Sequence, residues 1–234
     1  MSLPNLVLLP GMMCDARVYD SQIEALKGIA KCQVGYIGGA DNMTDIATQV
    51  LTQAPQNFAL AGLSMGGIVA MEIVRLAPQR VTRLALMDTN PRAEAEADDI
   101  KAERQPQIDA VQAGQLEQLL REVMVPRYFT SHRVHSQLDE LCVDMALSLG
   151  KDVFIRQSQA LRNRRDQQAT LASFDKLSLV LMGEEDDLCP LDRHQCMVAL
   201  LSQATFVKIP RAGHIPTLEQ PAATNAALKQ WMAL

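Results

Sequence analysis

Six short and almost wholly apolar runs recur along the chain, and the stretches between them mix polar and apolar residues. Runs that are rich in Val, Leu, Ile and Ala, without polar alternation, are typical of strands buried on both faces of a parallel sheet. Strands that alternate with helices predict a doubly wound α/β fold with a mostly parallel sheet of about six strands. The predicted strands span residues 6–9, 32–37, 58–61, 84–87, 179–182 and 206–209.

Helical patterns occupy most of the gaps between these runs. Residues 18–29 and 45–53 have a mixed polar and apolar period, and residues 67–76 are almost wholly apolar until Pro78. Proline stops a helix there because it lacks a backbone N–H, whereas Pro221 suits the first turn of a last helix. The pattern therefore predicts helices between the strands and at the C-terminal end of the sequence.

The alternation stops between residues 91 and 175, where the chain is polar and helix-forming. Apolar residues recur there at helical spacing, so we interpret this insertion as a helical cap over the ends of the strands. A separate helical domain is the alternative, which the two flanking core strands disfavour. The predicted organisation is an α/β core of residues 1–90 and 176–234 with a helical cap of residues 91–175.

Composition narrows the classes of protein that fit. Apolar residues make up 48% and charged residues 21% of the 234 positions, which excludes a disordered or fibrous chain. The net charge of -5 argues against a nucleic-acid partner.

Five scattered cysteines, with no CxxC pair, fit a reducing compartment. With no basic leader and no apolar span of about 20 residues, we expect a cytoplasmic protein without a membrane span. The oligomeric state stays open, a homo-oligomer included.

A G-x-S-x-G pattern, Gly62-Leu63-Ser64-Met65-Gly66, joins the third predicted strand to the apolar helix that follows it. A sharp strand-to-helix turn projects the serine Oγ above the sheet edge, and glycines are needed where strand and helix crowd that turn. The N-terminus of the following helix favours negative charge that develops nearby. The sequence therefore predicts Ser64 as a nucleophile.

A serine hydroxyl needs a base that accepts its proton, and the chain has four histidines. His214 lies in a loop just beyond the last predicted strand, where ligands bind in open α/β sheets, and is the predicted base. His132 and His135 have no further ligands that would complete a metal site. His194 is expected on an exposed helix start. We predict neither a metal site nor a cofactor.

An acid must orient the imidazole and stabilise its charged form. Residues 183–190 follow the fifth predicted strand and contain four consecutive carboxylates, of which Asp186 is the predicted acid. Glu185 and Asp187 are the neighbours that a shift of one residue would select. Asp88, directly after the fourth predicted strand, is the main alternative acid.

Backbone amides are expected to form the oxyanion hole. One donor is the N–H of Met65, the residue after the nucleophile. The other is the N–H of Met12, on the loop after the first strand, where Gly11 permits close approach of the backbone. The methionines of these loops fit an apolar acyl pocket, although methionine fills protein cores equally often.

Four arginines of the predicted cap provide a candidate anion clamp, since guanidinium groups pair well with carboxylates and phosphates. A solvated helix face is the alternative interpretation. The four are Arg156, Arg162, Arg164 and Arg165.

The chain resembles the α/β-hydrolase superfamily, in its serine-nucleophile branch with a helical cap. Ser64, the acid loop 183–190 and His214 occur in the family's order of serine, acid and histidine. Gly183, Asp186 and Pro190 reproduce the G-x-x-D-x-x-x-P pattern that is common in the family, which favours Asp186. Some members carry the acid after their sixth strand, which keeps the alternative acid open.

Two departures from the family stand out. Pro10-Gly11 replaces the usual His-Gly of the oxyanion loop, which leaves the amide donor in place. The sequence begins with what resembles the family's third strand, so we expect the N-terminal hairpin of the sheet to be missing.

A serine in the G-x-S-x-G turn disfavours those branches of the family whose nucleophile is aspartate. The resemblance implies a serine hydrolase that cleaves a small carboxylic ester, lactone or thioester with an apolar acyl part, through an acyl-enzyme on Ser64. Carbon–carbon bond hydrolysis or lyase chemistry on the same triad, and a slow or non-catalytic ligand receptor, are the alternatives.

Overall fold

Six parallel strands form a single sheet in the computed structural model, which describes residues 3–93, 98–130 and 136–234. Their order across the sheet is β2-β1-β3-β4-β5-β6. Every predicted strand is present, and the predicted α/β fold class is confirmed. The strands are β1 (Asn5–Leu9), β2 (Lys31–Val34), β3 (Phe58–Leu63), β4 (Val81–Met87), β5 (Ser178–Gly183) and β6 (Ala204–Ile209).

Helices follow most of the strands. In the described ranges, none of them combines the length and the apolar character that a membrane crossing requires. The helices are α1 (Asp20–Ala25), α2 (Met43–Gln53), α3 (Met65–Leu76), α4 (Asp98–Gln112), α5 (Leu116–Leu119), α6 (Ser136–Leu149), α7 (Lys151–Arg162), α8 (Gln168–Ala172), α9 (Leu191–Leu200), α10 (Pro216–Glu219) and α11 (Pro221–Ala233).

Both faces of the sheet are buried along its four central strands, whereas the edge strands β2 and β6 are partly exposed. Leu6 and Leu8 of β1 belong to one apolar cluster, whereas Val7 and Leu9 belong to the other. Successive side chains of a strand point to opposite faces, so this division shows apolar packing on each side of the sheet. Burial on both faces explains why the strands lack polar alternation in the sequence.

The chain between β4 and β5 contains no strand in its described part. It contains α4 to α8, and one π-helical turn at Leu120–Met124 continues α5. Phe154 of α7 and Tyr128, which follows that turn, are buried in the same apolar cluster as Leu6 of β1. The insertion therefore packs onto the core, while its division from the core as a separate cap stays a prediction.

Glu72 of the buried helix α3 connects three parts of the chain. Its carboxylate forms an ion pair with Arg75 at 2.7 Å and accepts hydrogen bonds from Thr44 Oγ1 at 2.6 Å and Gln167 Nε2 at 2.7 Å. Burial alone raises the pKa of a carboxyl group, but these donors prevail and lower the pKa of Glu72 to about 2.

Glu72→Gln is expected to lower the free energy of unfolding more at pH 7 than at pH 3, each compared with the parent chain at the same pH. The Glu72 carboxylate takes up a proton near pH 4.5 in the unfolded chain but only near pH 2 in the folded protein. The carboxylate therefore stabilises the fold above that range, by about 2–3 kcal/mol, and this contribution is lost as the pH falls. Urea unfolding at pH 7 and pH 3 measures the difference. The exposed Glu24→Gln is the control, and an effect of Glu72→Gln that is equal at both pH values would contradict the account.

Candidate active site

The site lies where the chain changes its direction of travel across the sheet. From β1 the chain moves to β2 on one side and then to β3 on the other. Ligands of open α/β sheets bind at such a switch point, outside the carboxyl ends of the strands. Ser64 directly follows β3 there, and residues 10–13 follow β1.

Ser64 has a backbone conformation that a non-glycine residue rarely adopts, with φ 52° and ψ −118°. Its N–H donates to the carbonyl of Met87 at 2.8 Å, and its carbonyl accepts from Thr89 Oγ1 at 2.7 Å. Strain of this kind costs on the order of 1–3 kcal/mol and is found at functional turns where the surroundings enforce it. The turn fixes the Ser64 side chain at the head of α3.

The two motif glycines permit contacts that no side chain would allow. A Cβ at Gly62 would lie 2.3 Å from the carbonyl oxygen of Gly66, and a Cβ at Gly66 would lie 2.2 Å from that of Leu9. Both approaches are to backbone atoms, which cannot move aside cheaply. The elbow therefore depends on glycine for the reason that the sequence pattern indicates.

Three of the predicted site residues form one hydrogen-bonded series. His214 Nε2 lies 2.8 Å from Ser64 Oγ, and His214 Nδ1 lies 2.9 Å from Asp186 Oδ2. Both distances suit proton transfer and orientation of the imidazole. The backbone N–H of His214 donates to the carbonyl of Tyr128 at 2.8 Å, which holds the histidine loop against the insertion.

Asp186 is buried and yet surrounded by donors. Its Oδ1 accepts from the N–H groups of Leu188 at 2.9 Å and Cys189 at 3.0 Å, while its Oδ2 faces His214. Burial opposes ionisation, but the charge and hydrogen bond of His214 and the two amides together hold the pKa of Asp186 below its usual value. The carboxylate is therefore ionised and available to stabilise an imidazolium.

Asp88, the alternative acid, makes no hydrogen bond to His214 among the described contacts. Its Oδ1 accepts from the N–H of Gly183 at 2.7 Å, and its buried Oδ2 has no hydrogen-bond partner in the described structure. Burial, reinforced by the nearby charge of Asp186, raises the pKa of Asp88 well above its usual value. Burial and the charge of Asp186 therefore both favour the protonated form of the Asp88 carboxyl.

The expectation that His194 is exposed is wrong, since the residue is 0% exposed. It lies on α9, which packs against β5 and β6, and its Nδ1 is 3.3 Å from the carbonyl of Pro190. Burial lowers the pKa of His194, so its imidazole is neutral. His132 and His135 lie outside the described residues.

Within the part of the chain that the structure describes, two trios of side chains have ligand atoms close enough to share a metal ion, within 4.8 Å of one another. Both trios use Asp186, whose oxygens already accept from His214 and two amides. A metal there would compete with the contacts that orient the histidine. The trios are Asp186, Cys189 and His214, and Asp88, Asp186 and His194.

The loop expected to supply an oxyanion donor lies against the serine. A Cβ on Gly11 would be 3.6 Å from Ser64 Cβ, and Met12 lines the cavity in front of Ser64. Met65 is the first residue of α3 and is buried. The use of the Met12 and Met65 amides as oxyanion donors stays a prediction.

Sequence reasoning missed two buried residues that position these loops. Gln157 of α7 accepts from the N–H of Met13 at 2.9 Å, next to the predicted oxyanion donor. Glu219 accepts from the N–H of Gly213 at 2.7 Å and from Thr130 Oγ1 at 2.8 Å, which joins the histidine loop to the insertion. Glu219 lies five residues after His214 in the sequence, so a carboxylate close to the predicted base could have indicated its role. Gln157 offered none.

A cavity of about 150 Å³ opens in front of Ser64. Of the four arginines that were candidates for an anion clamp, Arg164 alone lines it. Arg156 Nε donates to the carbonyl of Gly38 at 2.8 Å, Arg162 Nη1 donates to Gln105 Oε1 at 2.7 Å, and Arg165 is exposed. The apolar part of the wall includes Met12, Met65, Ile68, Leu161 and Leu188.

Two cysteines also line this cavity. Burial raises the pKa of Cys14 to about 12 and the pKa of Cys189 well above its usual value. Because the thiolate is the nucleophilic form of cysteine, burial makes both side chains poor nucleophiles.

Comparison with known proteins adds an independent finding. The model of the alpha/beta hydrolase family matches residues 6–227 of the chain. A pimeloyl-acyl-carrier-protein methyl ester esterase of Vibrio campbellii is 34% identical over 101 residues, which are 40% of this chain and 40% of that protein. The esterase of the same name from Nitrosomonas europaea is 24% identical over 93% of this chain and 91% of its own length.

Solved structures agree on the fold. A thermophilic esterase from Thermogutta terrifontis has a TM-score of 0.88 and 27% identity, over 100% of this chain and 90% of that one. An enol-lactonase from Burkholderia xenovorans has a TM-score of 0.87 at 17% identity, over 100% and 93% of the two chains. At that identity the second likeness concerns the fold alone.

Proposed function

The chain belongs to the alpha/beta hydrolase family, and from that premise we propose that it is a serine hydrolase that cleaves small carboxylic esters. One observation carries the proposal: Asp186, His214 and Ser64 form a continuous hydrogen-bonded series that ends at a strained elbow. The arrangement has the three roles that acyl transfer needs, a nucleophile, a base and a group that orients the base.

In the proposed reaction, Ser64 Oγ attacks the ester carbonyl while His214 Nε2 takes the hydroxyl proton. The negative charge that forms on the carbonyl oxygen is stabilised by the N–H groups of Met12 and Met65. When the intermediate collapses, His214 returns the proton to the departing alkoxide, which leaves as the alcohol. A water molecule, deprotonated by His214, then attacks the acyl-enzyme. When this second intermediate collapses, the acid is released and His214 returns the proton to Ser64 Oγ.

Ionised Asp186 holds the imidazole so that Nδ1–H points to the carboxylate and Nε2 faces Ser64. Asp186 keeps its negative charge throughout and stabilises the imidazolium that forms in each half of the reaction. Its two backbone amide donors keep it ionised in a buried position.

The size of the cavity supports a small group beside Ser64, and the names of the relatives support an ester as the substrate. A cavity of about 150 Å³ is comparable to an engineered one that accommodates benzene. The relatives from Vibrio campbellii and Nitrosomonas europaea are named as pimeloyl-acyl-carrier-protein methyl ester esterases, a name that specifies a small alcohol, and the solved Thermogutta terrifontis protein is an esterase. We therefore propose that a short acyl chain or a small alcohol occupies the apolar wall beside Ser64.

A substrate panel tests the proposal. We expect p-nitrophenyl acetate and butyrate to be hydrolysed with a higher kcat/KM than the octanoate, because the short acyl chains fit within the cavity of about 150 Å³. A lactone and a thioester in the same panel separate these related activities. The absence of turnover on every member, together with stoichiometric ligand binding, would instead favour a receptor.

A further inference from the structure

The loop after β1 contains a strained turn close to Ser64. The N–H of Cys14 donates to the carbonyl of Gly11 at 3.1 Å, which closes a four-residue turn with Met12 and Met13 at its centre. Of these two central residues only Met13 has a positive φ, at 56°. A turn with positive φ at its third residue alone is of type II, and that position favours glycine. Because a methionine there costs free energy, the surroundings must hold the turn in this form.

Gln157 of α7 holds the strained turn from the insertion. It is buried, and its Oε1 accepts from the N–H of Met13 at 2.9 Å. Turns of type I and type II differ by a rotation of the peptide group between their two central residues, and this group carries the Met13 N–H. The hydrogen bond therefore opposes a rotation to type I, which would remove the positive φ at Met13.

The side chain of Gln157 is itself oriented by its surroundings. Its Nε2 lies 3.4 Å from the carbonyl of Ile37, in the segment that follows β2. Arg156, the preceding residue of α7, donates from Nε to the carbonyl of Gly38 in the same segment at 2.8 Å. The Gln157 amide thus has an N–H beside its oxygen and a carbonyl beside its nitrogen. Helix α7 therefore presents an oriented acceptor to the turn.

The turn carries one of the two predicted oxyanion donors, the N–H of Met12. This N–H belongs to the peptide group that directly precedes the one held by Gln157, and the two groups meet at the Met12 Cα. Oxyanion donors act at about 2.7–3.1 Å from the developing charge, and a misplacement of about 1 Å can cost about 100-fold in rate. A rotation within the turn would therefore be felt at the ester carbonyl.

We propose that Gln157 is a positioning residue for the oxyanion hole. By accepting from the Met13 N–H, it keeps the preceding Met12 N–H directed at the carbonyl oxygen of an ester bound at Ser64. This inference rests on the proposed function and deepens it, because it makes transition-state stabilisation depend on a residue of the insertion between β4 and β5. Since negative charge develops on that oxygen only during attack, Gln157 contributes to kcat and little to KM.

Substitutions of similar size test the role of the acceptor. Gln157→Met keeps the length of the side chain and removes the strong acceptor, whereas Gln157→Glu keeps an acceptor oxygen. We expect Gln157→Met to lower kcat for p-nitrophenyl butyrate by about 10- to 100-fold while KM changes by less than about threefold. Gln157→Glu is expected to recover most of that loss.

Two further variants make the comparison independent of a single protein. Gln157→Asn is polar but one methylene shorter, so it cannot reach the turn and is expected to show the same loss as Gln157→Met. Ser158→Ala changes the next residue of α7, which is also buried, and is the matched control with parental kcat expected. Thermal melts of all four variants report whether each one folds.

A pair of ketones separates a positioning role from a purely structural one. Ser64 Oγ adds to the carbonyl of trifluoromethyl propyl ketone, His214 Nε2 takes the hydroxyl proton, and the ketone oxygen becomes an oxyanion. Methyl propyl ketone has the same propyl chain but adds far less readily, so it binds as the intact ketone. We expect Gln157→Met to raise the inhibition constant of the trifluoromethyl ketone by about the factor by which kcat/KM falls, and to leave that of the methyl ketone unchanged.

The outcomes separate this inference from the proposed function. If the parent protein cleaves p-nitrophenyl butyrate and both Gln157→Met and Gln157→Asn keep kcat within about twofold, the positioning role is wrong while the hydrolase stands. Equal losses in Gln157→Met and Gln157→Glu, or equal effects on the two ketones, would also overturn it. If the parent protein cleaves no ester, the proposed function fails and this inference fails with it.

Discussion

Ser64→Ala is expected to lower kcat for ester hydrolysis by about 10⁶-fold, the size of loss seen when the nucleophile of a serine hydrolase is removed. Alanine keeps the Cβ and removes only the Oγ that His214 Nε2 contacts at 2.8 Å. The backbone strain at φ 52° is the same in both proteins, so the melting temperature is expected to change little. Turnover of p-nitrophenyl butyrate and a thermal melt measure the two effects.

Ser173→Ala changes an exposed serine that directly follows α8; it is the matched control and is expected to keep full activity. A Ser64→Ala protein that retained more than a few per cent of the parental rate, at equal purity and stability, would show that another group performs the attack.

Asp186→Asn is expected to lower kcat by about 10⁴-fold, equivalent to about 5 kcal/mol of transition-state stabilisation. Asparagine keeps the shape of the side chain but presents an N–H to His214 Nδ1, which favours the wrong tautomer of the imidazole. Circular dichroism and kcat on one ester, measured together, separate the loss of activity from a loss of fold.

Asp88→Asn is the matched variant and is expected to cost far less. The amide oxygen can still accept from the N–H of Gly183, and the neutral amide replaces a carboxyl group whose uncharged form burial already favours. A dead Asp88→Asn enzyme beside an active Asp186→Asn enzyme would reverse the assignment of the acid.

The strands and the elbow could be predicted because their signals are local. Strands buried on both faces leave short apolar runs in the sequence. The glycines at 62 and 66 are a local signal as well, because the close backbone contacts there leave no room for a side chain. Strand ends were less accurate. β2 stops at Val34 because β1, its only neighbour in the sheet, ends at Leu9. β4 starts three residues earlier than predicted, at Val81, because Val81 and Arg83 already pair with Phe58 and Ala59 of β3.

The rest of the site depends on contacts between distant positions. Gln157 reaches Met13 from 144 positions away, and no pattern in an amphipathic helix distinguishes it from a surface residue. The four arginines lie close together in the sequence and were candidates for one cluster. In the structure, Arg156 and Arg162 of α7 instead donate to Gly38 and Gln105. His194 was placed on the surface because polar neighbours surround it in sequence, whereas the packing of α9 buries it.

The central claim is that an acyl group is transferred to Ser64, and site-specific labelling tests it most directly. The protein is treated with a fluorophosphonate, which reacts with activated serines, and the modified peptide is identified by mass spectrometry. We predict one adduct per chain on the peptide that contains Ser64, slower labelling in Asp186→Asn and none in Ser64→Ala. An adduct on another residue, or labelling that persists in Ser64→Ala, would contradict the account.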